Sequence, residues 1–136
     1  MRIAVINVPA TRKGIQEYVK TLAKGMEAMG HKVDIIDAWT EDGFRLPGYE
    51  YVAICAEACS GWGGRVPDVL IKFLACGSGL VGKKSAAFIK KTSPFFINRS
   101  LTNLMRIMEK EGMMINWCDI ILNAPHAEAM GKRIGA

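Results

Sequence analysis

The residues best suited to holding a ligand stand together at Cys59-Ser60-Gly61-Trp62-Gly63-Gly64-Arg65-Val66-Pro67. One large aromatic ring is flanked by side chains that are small or missing, so the backbone can come close to whatever the ring touches. The chemistry this suits is the stacking of a flat ring ligand on Trp62. The same residues also allow a plainer arrangement, in which Trp62 packs on the body of the protein and the glycines only turn the chain. Other chemistry is sparse. His31 and His126 have no acid–base partner at a telling spacing and are expected at the surface. The four cysteines, Cys55, Cys59, Cys76 and Cys118, form no CxxC pair, which argues against a zinc site or a disulfide framework. Cys55 and Cys118 lie in apolar runs and are expected to behave as small hydrophobes, while Cys59 shares the glycine-rich loop. Gly82-Lys83-Lys84 precedes a strand-like run rather than joining a strand to a helix, so it is no nucleotide phosphate loop.

Such residues need a scaffold, and 136 residues suffice for one domain with its own core, expected over 1–136. No apolar run approaches the roughly 20 residues that span a bilayer, and the N-terminus enters a strand pattern directly. A cytoplasmic protein with no membrane partner is expected. The formal charge is +5, but the basic residues are dispersed, with only short pairs at Arg12-Lys13, Lys83-Lys84, Lys90-Lys91 and Lys132-Arg133. A solvated surface fits that dispersal better than a nucleic-acid interface, so no nucleic acid is expected.

Strand and helix signals alternate along the chain. Ile3 to Ile6 is a nearly continuous apolar run, as in a strand covered on both faces. Ile15, Val19, Leu22, Ala23 and Met26 then form one helical stripe, which Gly30 can close. Val33 to Ile36 is a second, shorter strand, and Asp34 and Asp37, which break the apolar run, suit a less covered edge. Residues 38–48 are turn-rich and leave room for no more than a helical turn. Tyr51 to Ala56 reads as a central strand, followed by the Trp62 loop and a helix with Pro67 at its first position. Ser85 to Ile89 is a fourth strand, Asn98 or Ser100 a helix N-cap, and Leu101, Leu104, Met105 and Met108 a further stripe. Ile115 to Leu122, broken by Asn116 and Asp119, is the last strand and the other edge, and Asn123-Ala124-Pro125 starts a terminal helix. Five strands alternating with helices predict an α/β fold, an open parallel sheet with helices on both faces. Ligands of such sheets sit at the carboxyl ends of the strands, which selects the loops Asn7–Ile15, Glu57–Val66 and Lys90–Asn98.

The chain resembles the flavodoxin-like family (flavodoxins and NADPH-dependent FMN reductases) nearly end to end. Three stretches carry the likeness: Leu22 to Asp37, Trp62-Gly63-Gly64 with Val66-Pro67 and Phe73-Leu74, and Leu80 to Lys84 with Ala86-Ala87-Phe88. The resemblance implies a doubly wound sheet in the order 2-1-3-4-5 and, usually, bound FMN. It places the phosphate against the first loop, where the family carries Ser, Thr and Gly and this chain carries Pro9, Ala10, Thr11, Arg12, Lys13, Gly14 and Ile15. Only Thr11 supplies a hydroxyl there. Arg12 and Lys13 either supply charge in place of hydroxyls or point into solvent. The isoalloxazine ring is implied against Ser60, Gly61, Trp62, Gly63 and Gly64, with Thr92, Ser93 and Pro94 on the second ring-contacting loop, where turn formation beside Pro94 is an equal alternative. Glu57 is the nearest acid, with its direction open. A phospho-acceptor domain on the same architecture would need clustered aspartates, and Asn7 and Glu57 hold those places instead.

The resemblance thus implies an FMN-dependent redox protein in which the flavin carries the chemistry. Its partner would be a redox protein or a small-molecule electron acceptor. A flavin or quinone reductase using NAD(P)H, often a homodimer, is the competing use. The altered first loop raises a third, a binding or regulatory module that no longer holds FMN.

Overall fold

The computed structural model describes residues 1–11, 14–41, 43–57, 65–77, 79–90 and 97–134. Its strands are β1 (Arg2–Val8), β2 (Lys32–Asp37), β3 (Tyr51–Glu57), β4 (Lys84–Lys90) and β5 (Met114–Ile121). Between and after them run α1 (Glu17–Ala28), α2 (Asp68–Ala75), α3 (Ile97–Lys110) and α4 (Ala124–Arg133). All strand pairs are parallel, in the order β2-β1-β3-β4-β5. The two strands whose apolar runs are broken by carboxylates or amides, β2 and β5, are the edges. β3, with every residue buried, is the centre.

Alternation within each strand divides the core into two layers. Ala4, Ile6, Val8, Val52, Ile54, Ala56, Ala87 and Ile89 pack against α2 and α3. Ile3, Val5, Tyr51, Ala53, Cys55, Ala86 and Phe88 pack against α1 and α4. Asn7, Glu57 and Lys90 fall on the second face by the same alternation, one step past its last apolar residues. In β5 a bulge opposes Ser85 to Ile115 but Ala86 to Trp117, so that Ile115 packs on the first layer and Trp117 on the second. The extra residue, Asn116, accepts a hydrogen bond from the Tyr51 hydroxyl.

α1 and α4 approach until their backbones touch. A Cβ on Gly25 would lie 2.2 Å from the Glu128 carbonyl oxygen, and one on Gly131 2.2 Å from that of Leu22. The turn-rich segment is a 3-10 helix, Gly43–Gly48, longer than the single turn expected, and it delivers Leu46 and Tyr49 into the core. The Tyr49 hydroxyl donates to Asp34 Oδ2 at 2.8 Å.

Several boundaries differ from the sequence expectation. α1 starts at Glu17, with Ile15 outside it but still packed on the core. Pro67 caps α2 rather than opening it, its ψ of 135° being extended. α3 is already helical at Ile97, so Asn98 and Ser100 are no cap. Ser100 is buried, and the Asn98 carbonyl accepts from the Thr102 hydroxyl. Cys118 is exposed on edge strand β5, whereas Cys55 is buried as expected. No described helix is long and apolar enough to cross a membrane.

Candidate functional site

Strand order changes direction between β1 and β3, so the loops leaving β1, β3 and β4 rise from three adjacent strands at one edge. The described part of that edge is built around Asn7, a fully buried amide at the end of β1. Its Nδ2 donates to the Gly14 carbonyl at 3.0 Å, and its Oδ1 accepts from Gln16 N at 3.3 Å and Gln16 Nε2 at 3.1 Å. The amide thus ties both ends of the first loop together, a use its single side chain can serve because it both donates and accepts. Gly14, at φ +86°, makes the left-handed step that brings the chain back to α1. The Asn7 carbonyl also accepts from Ala38 N at 3.0 Å, anchoring the turn after β2. From that turn Trp39 donates its indole N–H to the Pro9 carbonyl at 2.9 Å.

Glu57 ends β3 and is 6 % exposed. Its Oε1 accepts a hydrogen bond from the Ala10 N–H at 3.0 Å, so the carboxylate lies against the inside of the first loop. Glu57 stands in register with Lys90 of β4, whose ammonium lies 5.8 Å from the Tyr18 ring centroid. Tyr18, in the first turn of α1, directs its hydroxyl to the Ala56 carbonyl at 3.4 Å. Burial pushes the Tyr18 phenol well above its ordinary range, and the neighbouring Cys55 and Glu57 push it further. Burial likewise raises the Cys55 thiol and the Tyr51 phenol, so all three stay protonated at neutral pH. They are packing and hydrogen-bonding groups, with no nucleophile among them.

Of the residues singled out in the first loop, Pro9 is buried with its carbonyl on Trp39, Ala10 is half-buried with its N–H on Glu57, and Thr11 is exposed. Gly14 is exposed, and Ile15 packs on the core beneath α1. Arg12, Lys13, Ser60, Gly61, Trp62, Gly63, Gly64, Thr92, Ser93 and Pro94 lie outside the described residues, as does Cys59. Gln16, Tyr18 and Trp39 escaped the sequence reading, which placed Asn7 at the start of the loop without giving it a role. The signal for Asn7 was present, since a single amide ends an otherwise apolar run. Trp39 lies about thirty positions from its partner, and no local pattern joins them.

At the far edge His126 does have an acidic neighbour, contrary to expectation. Its Nε2 lies 3.9 Å from Asp119 Oδ2, and its Nδ1 accepts from Leu122 N at 3.2 Å, which leaves the proton on Nε2. His31 is half-buried and bridges the chain's ends, between the Met1 amino group at 3.3 Å and the Ile134 carbonyl at 3.2 Å.

No family model matches the sequence, and no curated protein matches it. Solved structures do. A two-electron reduced flavodoxin from Megasphaera elsdenii superposes with a TM-score of 0.73, at 16 % identity and covering 96 % of each chain. The Streptococcus pneumonia TIGR4 flavodoxin gives 0.72 at 12 % identity, over 97 % of this chain and 96 % of that one. A flavodoxin from the domain Archaea gives 0.66 at 17 % identity, over 99 % and 94 %. The fold is the flavodoxin fold. The expected sheet order is thereby met in full, and at these identities the likeness reaches no further than architecture.

The resemblance read from the sequence implies FMN, and the first loop is where it places the phosphate. Four backbone groups of that loop are already held by side chains: the Pro9 and Gly14 carbonyls and the Ala10 and Gln16 N–H groups. At Ala10 the N–H is already engaged by the Glu57 carboxylate, so it is no free donor for a phosphate.

Proposed function

We propose that this flavodoxin-like chain is a flavin-binding electron-transfer protein whose ligand site is the carboxyl edge of β1, β3 and β4. The observation that carries the reading is the adjacency of those three strand ends, which gathers the loops 7–16, 57–67 and 90–97 at the switch point of the sheet. When bound, the flavin ring supplies the redox chemistry. The chain's own part is to hold the ring flat and to shield it. Trp62 stacks on the ring, Gly61, Gly63 and Gly64 let backbone donors reach its polar edge, and Thr92 and Ser93 flank it from the next loop. FMN is the form the family's habit implies, and it is the phosphate rather than the ring that the Ala10–Glu57 contact argues against. The net charge of +5 favours a redox partner with an acidic docking face.

That same contact favours a second reading, a binding module that holds no flavin. Purified protein titrated against FMN and riboflavin, followed by flavin fluorescence, separates the two; flavin emission is preferable because Trp39 and Trp117 also fluoresce. Saturable quenching, lost in Trp62→Ala with the circular dichroism unchanged, is the expected result. No chromophore on purification and no saturable quenching by either flavin would sink the flavin reading. Reduction of bound flavin by NAD(P)H alone would move the assignment to a reductase.

A further inference from the structure

The amino ends of the strands form a second edge of the sheet, about 20 Å along the strands from the carboxyl edge. Between α2 and β4 the chain turns at Leu80–Lys83, closed by the Lys83 N–H on the Leu80 carbonyl at 3.0 Å. Gly82, at φ +76°, supplies the left-handed step of that turn. The turn is pinned from two further sides. The Gly82 N–H donates to the Gly112 carbonyl at 2.8 Å, and the Lys83 ammonium donates to the Tyr49 carbonyl. Leu80 is buried beneath the turn, while Val81 stands at its apex and is 86 % exposed. Turns favour residues that bond their own backbone or preset its angles, and a valine side chain does neither. Met114, whose N–H donates to the Lys83 carbonyl at 2.9 Å, is 59 % exposed beside it. A hollow of about 370 Å³ adjoins Val81 and is lined also by Met1, Glu50, Gly82, Lys83 and Lys84.

Strand register sets cations next to this apolar patch. Lys32 opens β2 in register with Arg2 of β1, and Lys84 opens β4 in register with Tyr51 of β3. From Lys32 to Lys84 the row crosses three strand spacings, about 14 Å. Lys32 and Lys84 are exposed, and neither side chain has an ion-pair or hydrogen-bond partner among the described residues. Glu50 is the one carboxylate lining the hollow, and it accepts from the Arg2 N–H at 3.2 Å. The basic row ends at β4, because the turn into β5 brings Glu109 and Glu111. These cations are scattered along the chain, and the parallel strand starts gather them. An apolar centre with a charged rim is the anatomy of a protein-binding surface, and the sign of the rim selects carboxylates. A nucleic-acid backbone would instead lay phosphates over Val81 and Met114, where no cation neutralises them.

We infer that the amino edge is a docking surface for an acidic protein segment, which sets an apolar side chain against Val81 and Met114 and carboxylates over Lys84 and Lys32. The inference is independent of the flavin reading. The two edges lie at opposite ends of the strands, so a partner docked here leaves the loops after β1, β3 and β4 uncovered.

The test uses the whole isotope-labelled chain, with an end-blocked peptide of alternating glutamate and leucine as the probe. Saturable shifts of the Gly82, Lys84 and Met114 amides are expected, with the Ala10 and Gln16 amides of the carboxyl edge unmoved. Val81→Ser and Lys84→Glu should each weaken binding by about fivefold or more. Both side chains are exposed, so the thermal midpoint of each variant should stay at the wild-type value. Binding should also weaken as salt is raised. An unchanged affinity in either variant overturns the inference, as does the absence of any saturable shift. So does equal binding of a peptide with serine for leucine, or of one with glutamine for glutamate. A DNA duplex or a phosphatidylserine vesicle that moves the same amides at lower concentration than the peptide overturns the choice of occupant. Shifts of those amides with protein concentration alone would do so in favour of a second copy of the chain.

Discussion

Replacing Gly131 by Ala tests the contact that fixes α1, the helix whose first turn carries Tyr18 beneath the carboxyl edge of the sheet. In most helix interiors this substitution stabilises by about 1 kcal/mol, since Ala loses less backbone entropy on folding. Here the new methyl would sit 2.2 Å from the Leu22 carbonyl oxygen, 3.0 Å from Met26 N and 3.1 Å from Gly25 Cα. These are backbone atoms of the facing helix and cannot swing aside as the end of a long side chain can. The helices must part by about 1 Å, and parting loosens the layer formed by Tyr18, Val19, Leu22, Met26, Ala127 and Met130. Overpacking of this kind costs up to about 3 kcal/mol, which the propensity gain offsets in part, leaving a net loss of about 2 kcal/mol. Urea denaturation reads it as a lower midpoint with an unchanged slope. Gly25→Ala meets the Glu128 carbonyl at the same 2.2 Å and should cost about as much. The double variant should cost less than the two losses added, because one separation of the helices relieves both clashes. A Gly131→Ala chain more stable than the wild type would refute the close approach of α1 and α4.

Two further outcomes follow from the site. Asn7→Ala removes three hydrogen bonds that close the first loop and leaves the Gly14 carbonyl and Gln16 N–H to find water. A loss of about 2–4 kcal/mol is expected, with faster hydrogen exchange at the Gln16 amide; a loss below about 0.5 kcal/mol would mean that the loop is not held there. Alkaline pH should also destabilise the chain, because Cys55, Tyr18 and Tyr51 have raised pKa values when folded. An acid raised in this way contributes its full stability below its unfolded value, and loses it as pH climbs from there toward the folded value. For Cys55 the decline starts near its ordinary 9.0, with a limiting slope of about 1.4 kcal/mol per pH unit. Cys55→Ala should flatten that limb between pH 9 and 10, where the tyrosines, at an ordinary 10.0, contribute little. An identical pH slope in the variant would show that the thiol does not carry it.

The architecture was legible because burial on both faces leaves a strong mark on a strand. Ile3 to Ile6 and Tyr51 to Ala56 carry almost no polar residue, and β1 and β3 lie beside each other at the middle of the sheet. The broken runs of β2 and β5 announced the edges for the same reason. Helix starts were less legible: Pro67 and Asn98 are displaced by a residue or more from their expected roles. The local preferences of Pro and Asn fit several neighbouring positions, and packing chooses among them.

At the carboxyl edge of the sheet, the sequence alone determined at which end the connections leave β1, β3 and β4, since the carboxyl ends of parallel strands all point one way. It also supplied the departure from a hydroxyl-rich first loop, which is a matter of composition at Pro9 to Ile15. Only the tertiary structure decided what fills that loop. Glu57 lies 47 positions from Ala10, and Trp39 lies 30 from Pro9. Each pair meets because neighbouring strands end at the same height, a coincidence of register that no periodicity within one segment encodes.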